Sequence, residues 1–171
     1  MIELLAPCGD FNKLKTALHF GADAVYVGGN NYGLRKGAKN FSNEGLAEAV
    51  QYCHERGKKL YVTCNIVAHN RDFEGLEEYL QYLDNIGVDA VIVSDPGIIV
   101  FCKKVLKKTQ IHLSTQANAT NKYSVKFWAD CGVSRIVLAR ELSVEEIKEI
   151  KDYIGDVELE AFVHGAMCVS H

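Results

Sequence analysis

The residues with the most chemical capacity lie close together near the end of the chain, in Glu158-Leu-Glu-Ala-Phe-Val-His-Gly-Ala-Met-Cys-Val-Ser-His171. Strand alternation puts Leu159, Ala161 and Val163 on one face and Glu158, Glu160, Phe162 and His164 on the other. A carboxylate and an imidazole four residues apart on one strand face can move protons between them or to a ligand. In a strand covered on both sides, that face must look into a polar cavity, because burying such groups without partners is costly. An edge strand with a solvated face is the simpler alternative. Gly165 lets the chain turn closely, and Cys168 offers a thiolate as metal ligand or nucleophile.

Other candidates sit just beyond apolar runs. Arg140 and Glu141 follow Arg135–Ala139, and an arginine there suits a carboxylate or phosphate. Glu141 equally suits pairing with Arg140 or leading into the next helix. Asn65, Gln116 and Asn118 supply amides that orient a ligand, and Asp95 stands before Pro96, where a turn or helix cap is just as natural. Together these read as a site for a small anionic molecule, with Glu160 or His164 transferring protons. No Ser-His-Asp pattern, H-E-x-x-H helix or phosphate-binding P-loop is present. His19, His54 and His69 read as solvated surface.

Strands and helices must alternate to position these residues. The strands read as Ile2–Ala6, Ala24–Val27, Leu60–Cys64, Ala90–Ser94, Ile111–Thr115, Arg135–Ala139 and the run from Glu158. Between them come helices capped at Asp10, at Ser42 or Asn43, and at Asn121, with Ser143-Val-Glu-Glu146 as a capping box. Two further helices span Phe73 to Ile86 and Ile98 to Lys107, the second with its lysines at the C-terminal end, where the dipole favours them. No linker or change of composition interrupts residues 1–171, which read as one domain.

Strand–helix alternation of this kind means parallel strands joined by right-handed crossovers. An open doubly wound sheet would carry a Gly-rich phosphate loop after its first strand, and Pro7-Cys8-Gly9-Asp10 is not one. Tyr61, Thr63 and Asn65 share a face, as do His112, Ser114 and Gln116, and their alternate neighbours are apolar. Such strands fit an enclosed polar lumen better than a sheet with helices on both faces. The fold predicted is an α/β, TIM-type (β/α)8 barrel, incomplete, with about seven parallel strands and its eighth unit missing. Chemistry in such barrels sits at the C-terminal strand ends, where the candidates above fall. Glu3, Tyr61, Thr63, His112, Ser114, Glu160 and His164 are expected to point inward and to bond to one another or to water.

Composition excludes some classes. The 171 residues are 48% hydrophobic and 24% charged with a formal charge of -3, so no basic footprint for nucleic acid is present. No apolar run reaches membrane-spanning length, and the first residues lack the basic start of a signal peptide, so a cytoplasmic protein without a membrane partner is expected. The six cysteines are far apart in sequence, and the five before Cys168 read as reduced, buried thiols.

Several segments, in order, resemble the collagenase-like peptidase family: Leu5-Ala-Pro-Cys-Gly9, Gly21-Ala-Asp-Ala-Val-Tyr26, Tyr61-Val-Thr-Cys-Asn65, His112-Leu-Ser-Thr-Gln116, Val137-Leu-Ala-Arg-Glu-Leu-Ser143 and Glu160-Ala-Phe-Val-His-Gly-Ala-Met-Cys168. The resemblance covers the whole chain and implies the N-terminal barrel portion of a longer protein. It implies either proteolysis, as the family name says, or hydroxylation of tRNA or rRNA, with an iron-sulfur cluster and prephenate as co-substrate. The residues favour hydroxylation, with a catalytically silent binding module as the third reading. By the same resemblance Cys168 is a cluster ligand in the full-length chain, and Asn65, Gln116, Arg140, Glu160 and His164 line the pocket. RNA would bind through the C-terminal part. This stretch alone is expected to hold no cluster and show no hydroxylation, and open barrel edges along its first and last strands are expected to favour a homodimer.

Overall fold

A computed structural model describes residues 2–33 and 40–165. The strands are β1 (Leu5–Pro7), β2 (Ala24–Gly28), β3 (Lys59–Cys64), β4 (Ala90–Val93), β5 (Gln110–Leu113), β6 (Arg135–Val137) and β7 (Glu158–Glu160). The helices are α1 (Phe11–His19), α2 (Asn43–His54), α3 (Leu76–Ile86), α4 (Pro96–Val105), α5 (Lys122–Asp130) and α6 (Val144–Ile154). β1 to β4 pair parallel in order and so do β5 to β7, the α/β arrangement of a TIM-type barrel. The chain divides into two units, Met1–Gln110 and Ile111–His171.

Side chains fix where each helix starts. Asp10 accepts from the Lys13 N–H at 2.9 Å, Ser42 from Gly45 at 3.1 Å and Asp95 from Ile98 at 3.1 Å, so each satisfies an N–H the helix cannot pair itself. Asn121 Oδ1 accepts from Tyr123 and Ser124, and Ser143 and Glu146 close a reciprocal box at 3.2 and 2.8 Å.

In the first unit β1 to β4 pair in order, with Tyr26 opposite Tyr61 and Tyr61 opposite Ala90. One face gathers Ala24, Tyr61, Ala90 and Ile92, with Leu5 and Tyr26 against them. The alternate residues Val25, Leu60, Val62, Val91 and Val93 are buried as well, as are Leu46, Leu76, Leu80, Leu83 and Ile98 on the helices. A strand buried on both faces loses the simple apolar–polar alternation, which is why β4 reads as a continuous Ala-Val-Ile-Val run.

Two Gly-x-Asp-Ala-Val segments, 21–25 and 87–91, do the same structural work. The N–H of Asp23 donates to the Leu4 carbonyl at 2.8 Å, and its carboxylate accepts from the Leu4 N–H at 3.1 Å. The N–H of Asp89 donates to the Leu60 carbonyl at 3.1 Å, and its carboxylate accepts from the Leu60 N–H at 2.8 Å. Each aspartate thus clasps the start of the preceding strand. Because a side chain takes this role at Leu4, β1 starts at Leu5 rather than Ile2 and runs on to Pro7.

Other boundaries differ from the sequence reading too, among them the end of β6 at Val137 rather than Ala139 and the span of α4, Pro96–Val105. The helix expected from Phe73 is a 3-10 turn over Asn70–Phe73, then α3 from Leu76, because Gly75 adopts a left-handed φ of 76° between them. β5 stops at Leu113, where the Ser114 hydroxyl accepts from Gln116 and opens a 3-10 turn over Thr115–Ala117. In the second unit β5, β6 and β7 pair in order, with His112 opposite Arg135 and Arg135 opposite Glu158. β7 ends at Glu160, so Phe162 and His164 lie past its last ladder position. No helix among the described residues is long and apolar enough to cross a membrane.

Candidate functional site

In the second unit, backbone bonds bring three strand ends together. The Thr115 hydroxyl donates to the Leu138 carbonyl at 3.2 Å, Leu138 N–H donates to the Glu160 carbonyl at 2.9 Å, and Ala139 N–H reaches Ala119 at 3.3 Å. The turn carrying Gln116 and Asn118 is thereby tied to the segment that leads into Arg140. Gln116 and Asn118 are exposed, Asn118 in a left-handed conformation with φ of 52°. The Arg140 guanidinium carbon lies 3.8 Å from the ring centre of Phe162. Such stacking fixes the plane of the guanidinium, and a fixed planar fork suits a carboxylate or phosphate. Glu141 is exposed one residue further on, and His164 is exposed past the end of β7 rather than turned into a lumen.

A charge cluster that sequence reasoning missed runs from the start of β6 to the last residue of β7. Arg135 is almost fully buried, its Nε and Nη2 standing 2.8 and 2.6 Å from Glu158 Oε2. Its Nη1 lies 3.5 Å from Glu160 Oε2. Glu160 therefore belongs to an ion cluster centred on Arg135, beside the fully buried His112 in the β5–β6 register. Parity carried the signal: Arg135 shares a strand face with Val137, and Glu158 and Glu160 repeat two apart on the next strand. The sequence reading placed Arg135 at the start of its strand and gave it no role.

In the first unit Glu3 is the hub of a comparable group. The Tyr61 hydroxyl donates to Glu3 Oε1 at 2.7 Å, and Lys59 Nζ stands 3.0 Å from Glu3 Oε2. Tyr61 is 1% exposed, so its hydroxyl needs such an acceptor. The Thr63 hydroxyl donates to the Val27 carbonyl instead of to another side chain. Of the side chains expected to bond to one another, Glu3 and Tyr61 do so directly. His54, read as solvated, has its Nε2 3.0 Å from Asp89 Oδ2.

The remaining candidates of this unit divide by role. Asp95 is occupied as the cap of α4, and the Asn65 carbonyl accepts from the Ser94 hydroxyl at 3.2 Å with the Asn65 side chain half-buried. Beyond β2 and β3 opens a cleft of about 890 Å³, bordered by Asn30, Asn31, Tyr32, His69, Arg71 and Glu74 among others. The Tyr32 hydroxyl donates to the Glu74 carbonyl at 3.1 Å and joins the two loops. Most of these cleft residues fall in loops, where periodicity gives no signal.

Four of the thiols are buried, and burial disfavours their thiolate form. Burial, with Asp10 nearby, pushes Cys8 up to about 11, and burial pushes Cys53 and Cys102 up to about 12 and Cys64 well above its ordinary value. Among the described residues no group of three or more His, Cys, Asp or Glu could hold a metal ion. A cluster ligated by thiolates does not fit these side chains. Cys168 lies outside the described residues.

Residues 9–171 match Peptidase family U32. The chain belongs to that family. It is 50% identical over 99% of its length to tRNA hydroxylation protein P1 of Bacillus subtilis (strain 168), and 38% identical over 99% to a 23S rRNA 5-hydroxycytidine synthase of Escherichia coli (strain K12). It spans 40% of the first of these proteins and 25% of the second. Among solved structures, the U32 peptidase Mk0906 superposes with a TM-score of 0.79 at 19% identity, over 94% of this chain and 68% of that one. The likeness establishes the barrel class of the fold.

Proposed function

We propose that this U32 chain is the barrel portion of an RNA-hydroxylating enzyme acting on tRNA, or on rRNA, with a small dicarboxylate such as prephenate as co-substrate. The carrying observation is the 50% identity, along nearly the whole chain, to a protein named for tRNA hydroxylation. The geometry supports it through the stack of Arg140 on Phe162, which presents a planar cation where strands β6 and β7 end. Arg140 receives a carboxylate of the co-substrate, and Gln116 and Asn118, on the turn tied to it, orient the remainder. Glu160 accepts a proton, while His164 and Glu141 complete the polar rim of the same mouth. Asn65 and Asp95 stand at the matching strand ends of the first unit, where Asp95 shapes the α4 entrance.

The RNA contacts belong in part to the longer protein, since this chain spans 40% of that relative. Cys168 ligates an iron-sulfur cluster in that longer chain, together with thiolates beyond this stretch. No step assigned to the described side chains passes through the cluster.

The test is genetic and chemical. Cells lacking the full-length gene are expected to lose a hydroxylated uridine or cytidine from tRNA or rRNA digests, seen by mass spectrometry. Wild-type full-length protein restores it, and the Arg140→Ala variant does not. Peptide cleavage by the purified protein that one pocket substitution abolishes, with RNA hydroxylation unaffected, would establish proteolysis instead.

A further inference from the structure

Arg135 is the most buried cation that the described side-chain contacts show, and two carboxylates surround it. It is 7% exposed, with Glu158 held at 2.6 and 2.8 Å and Glu160 at 3.5 Å. A guanidinium does not give up its proton in a protein, so burying it requires anions close by. The two carboxylates are not equivalent. The Glu158 side chain is 59% exposed and keeps much of its hydration, whereas that of Glu160 is 19% exposed and depends on the protein for compensation. Nε and Nη2 both engage one oxygen of Glu158, Oε2, and Nη1 stands 3.5 Å from Glu160 Oε2. The strand register enforces this: Arg135 is opposite Glu158, and Val137 is opposite Glu160.

We infer that Arg135 is a positioning residue that keeps the Glu160 carboxylate ionised and fixed in place, so that Glu160 serves as a proton acceptor. This rests on the reading of Glu160 as a site residue. Among the groups near it are Arg135 on β6 and Glu158 on β7 itself, with His112 on β5 opposite Arg135. Replacing the guanidinium removes a cation that lies within 3.5 Å of both Glu158 and Glu160 on one strand face. Burial and like charge would then both favour protonated Glu160.

The experiment uses the full-length protein with carboxyl-labelled glutamate and follows ionisation by isotope-edited infrared titration. The Glu160 band is identified by its loss in Glu160→Gln. In Arg135→Met the Glu160 midpoint is expected to rise by about one pH unit or more, and in Arg135→Lys by less. In cells, Arg135→Met is expected to lower the hydroxylated nucleoside at least tenfold, with Arg135→Lys between it and wild type. If Arg135→Met does not fold, the lysine variant carries the titration. An unmoved midpoint in a folded variant overturns the inference, and so does a raised midpoint with full product. Full product in Glu160→Gln would instead overturn the reading of Glu160, a result separable from either.

Discussion

Gly29 follows β2 and faces a tyrosine that fits only because the glycine has no side chain. A Cβ built on Gly29 lies 2.3 Å from the Tyr79 hydroxyl oxygen, with Tyr79 Cζ and Leu46 Cδ1 each at 3.5 Å. An ordinary carbon–oxygen contact needs about one ångström more, and forcing a methyl into a packed site costs about 1–3 kcal/mol. For a chain of this size that corresponds to a fall of about 2–10 °C in melting temperature. The tyrosine is 6% exposed, and its hydroxyl has no hydrogen-bond partner among the described residues. Leaving a hydroxyl buried and unpaired costs about 1–3 kcal/mol, so Tyr79→Phe should be neutral or stabilising. With the hydroxyl removed by that substitution, the nearest ring atom to a new Cβ is the carbon at 3.5 Å, an ordinary contact. Gly29→Ala then loses its steric penalty and gains about 0.4–1 kcal/mol from the restricted unfolded chain. Urea denaturation of wild type, the two single variants and the double variant, followed by circular dichroism, measures the coupling, expected at about 1–3 kcal/mol. A cost for Gly29→Ala that is the same with and without the hydroxyl would refute the reasoning.

Three further outcomes follow from the same structure. Asp84 on α3 is buried, and although burial opposes its charge, the backbone N–H groups of Thr109, Lys108 and Lys107 at 2.8, 2.9 and 3.2 Å hold its carboxyl below the usual range. Its contribution is therefore present above the ordinary carboxylate pKa and lost as pH falls through the lowered folded value; Asp84→Asn should flatten that acid loss and cost about 1–3 kcal/mol at neutral pH, read by urea titrations across pH. Iodoacetamide at neutral pH should label Cys131, which is partly exposed, well before Cys8, Cys53, Cys64 and Cys102, which are buried; peptide mass spectrometry shows the order. Phe162→Ala should weaken binding of prephenate to the full-length protein about two- to fivefold, the worth of an exposed cation–π stack of about 0.5–1 kcal/mol, with Arg140→Met losing far more by calorimetry; equal affinity in Phe162→Ala would separate the stack from ligand binding.

Much of the fold was legible because its signals are local. Caps at Asp10, Ser42, Asp95, Asn121 and Ser143 act within three or four residues, so spacing alone reveals them. Strand parity likewise separated Leu60 and Val62 from Tyr61 and Thr63. What stayed hidden depends on pairing between distant segments. The Asp23 and Asp89 clasps look like turn residues until the strand beside each is known, and the end of β7 at Glu160 follows from where β6 stops offering partners. Arg140 could be singled out from its place after an apolar run, but its fixed plane comes from Phe162, beyond the whole of α6 and β7.

The same strand pair carries two arginines in different surroundings, one among carboxylates and one on an aromatic ring. Arg135, at the start of β6, has two carboxylates from β7 within 3.5 Å, so a further anion there would meet repulsion. Arg140, past the end of β6, rests on an aromatic ring, which sets the plane of its guanidinium. Both depend on the register that sets Arg135 opposite Glu158, because a one-residue slip of β7 would turn Glu158, Glu160 and Phe162 to the other face together. The charge-paired end therefore supports the binding end mechanically. A substitution that loosens the Arg135 cluster should be felt at Arg140, whereas one at Arg140 should leave the Arg135 cluster intact.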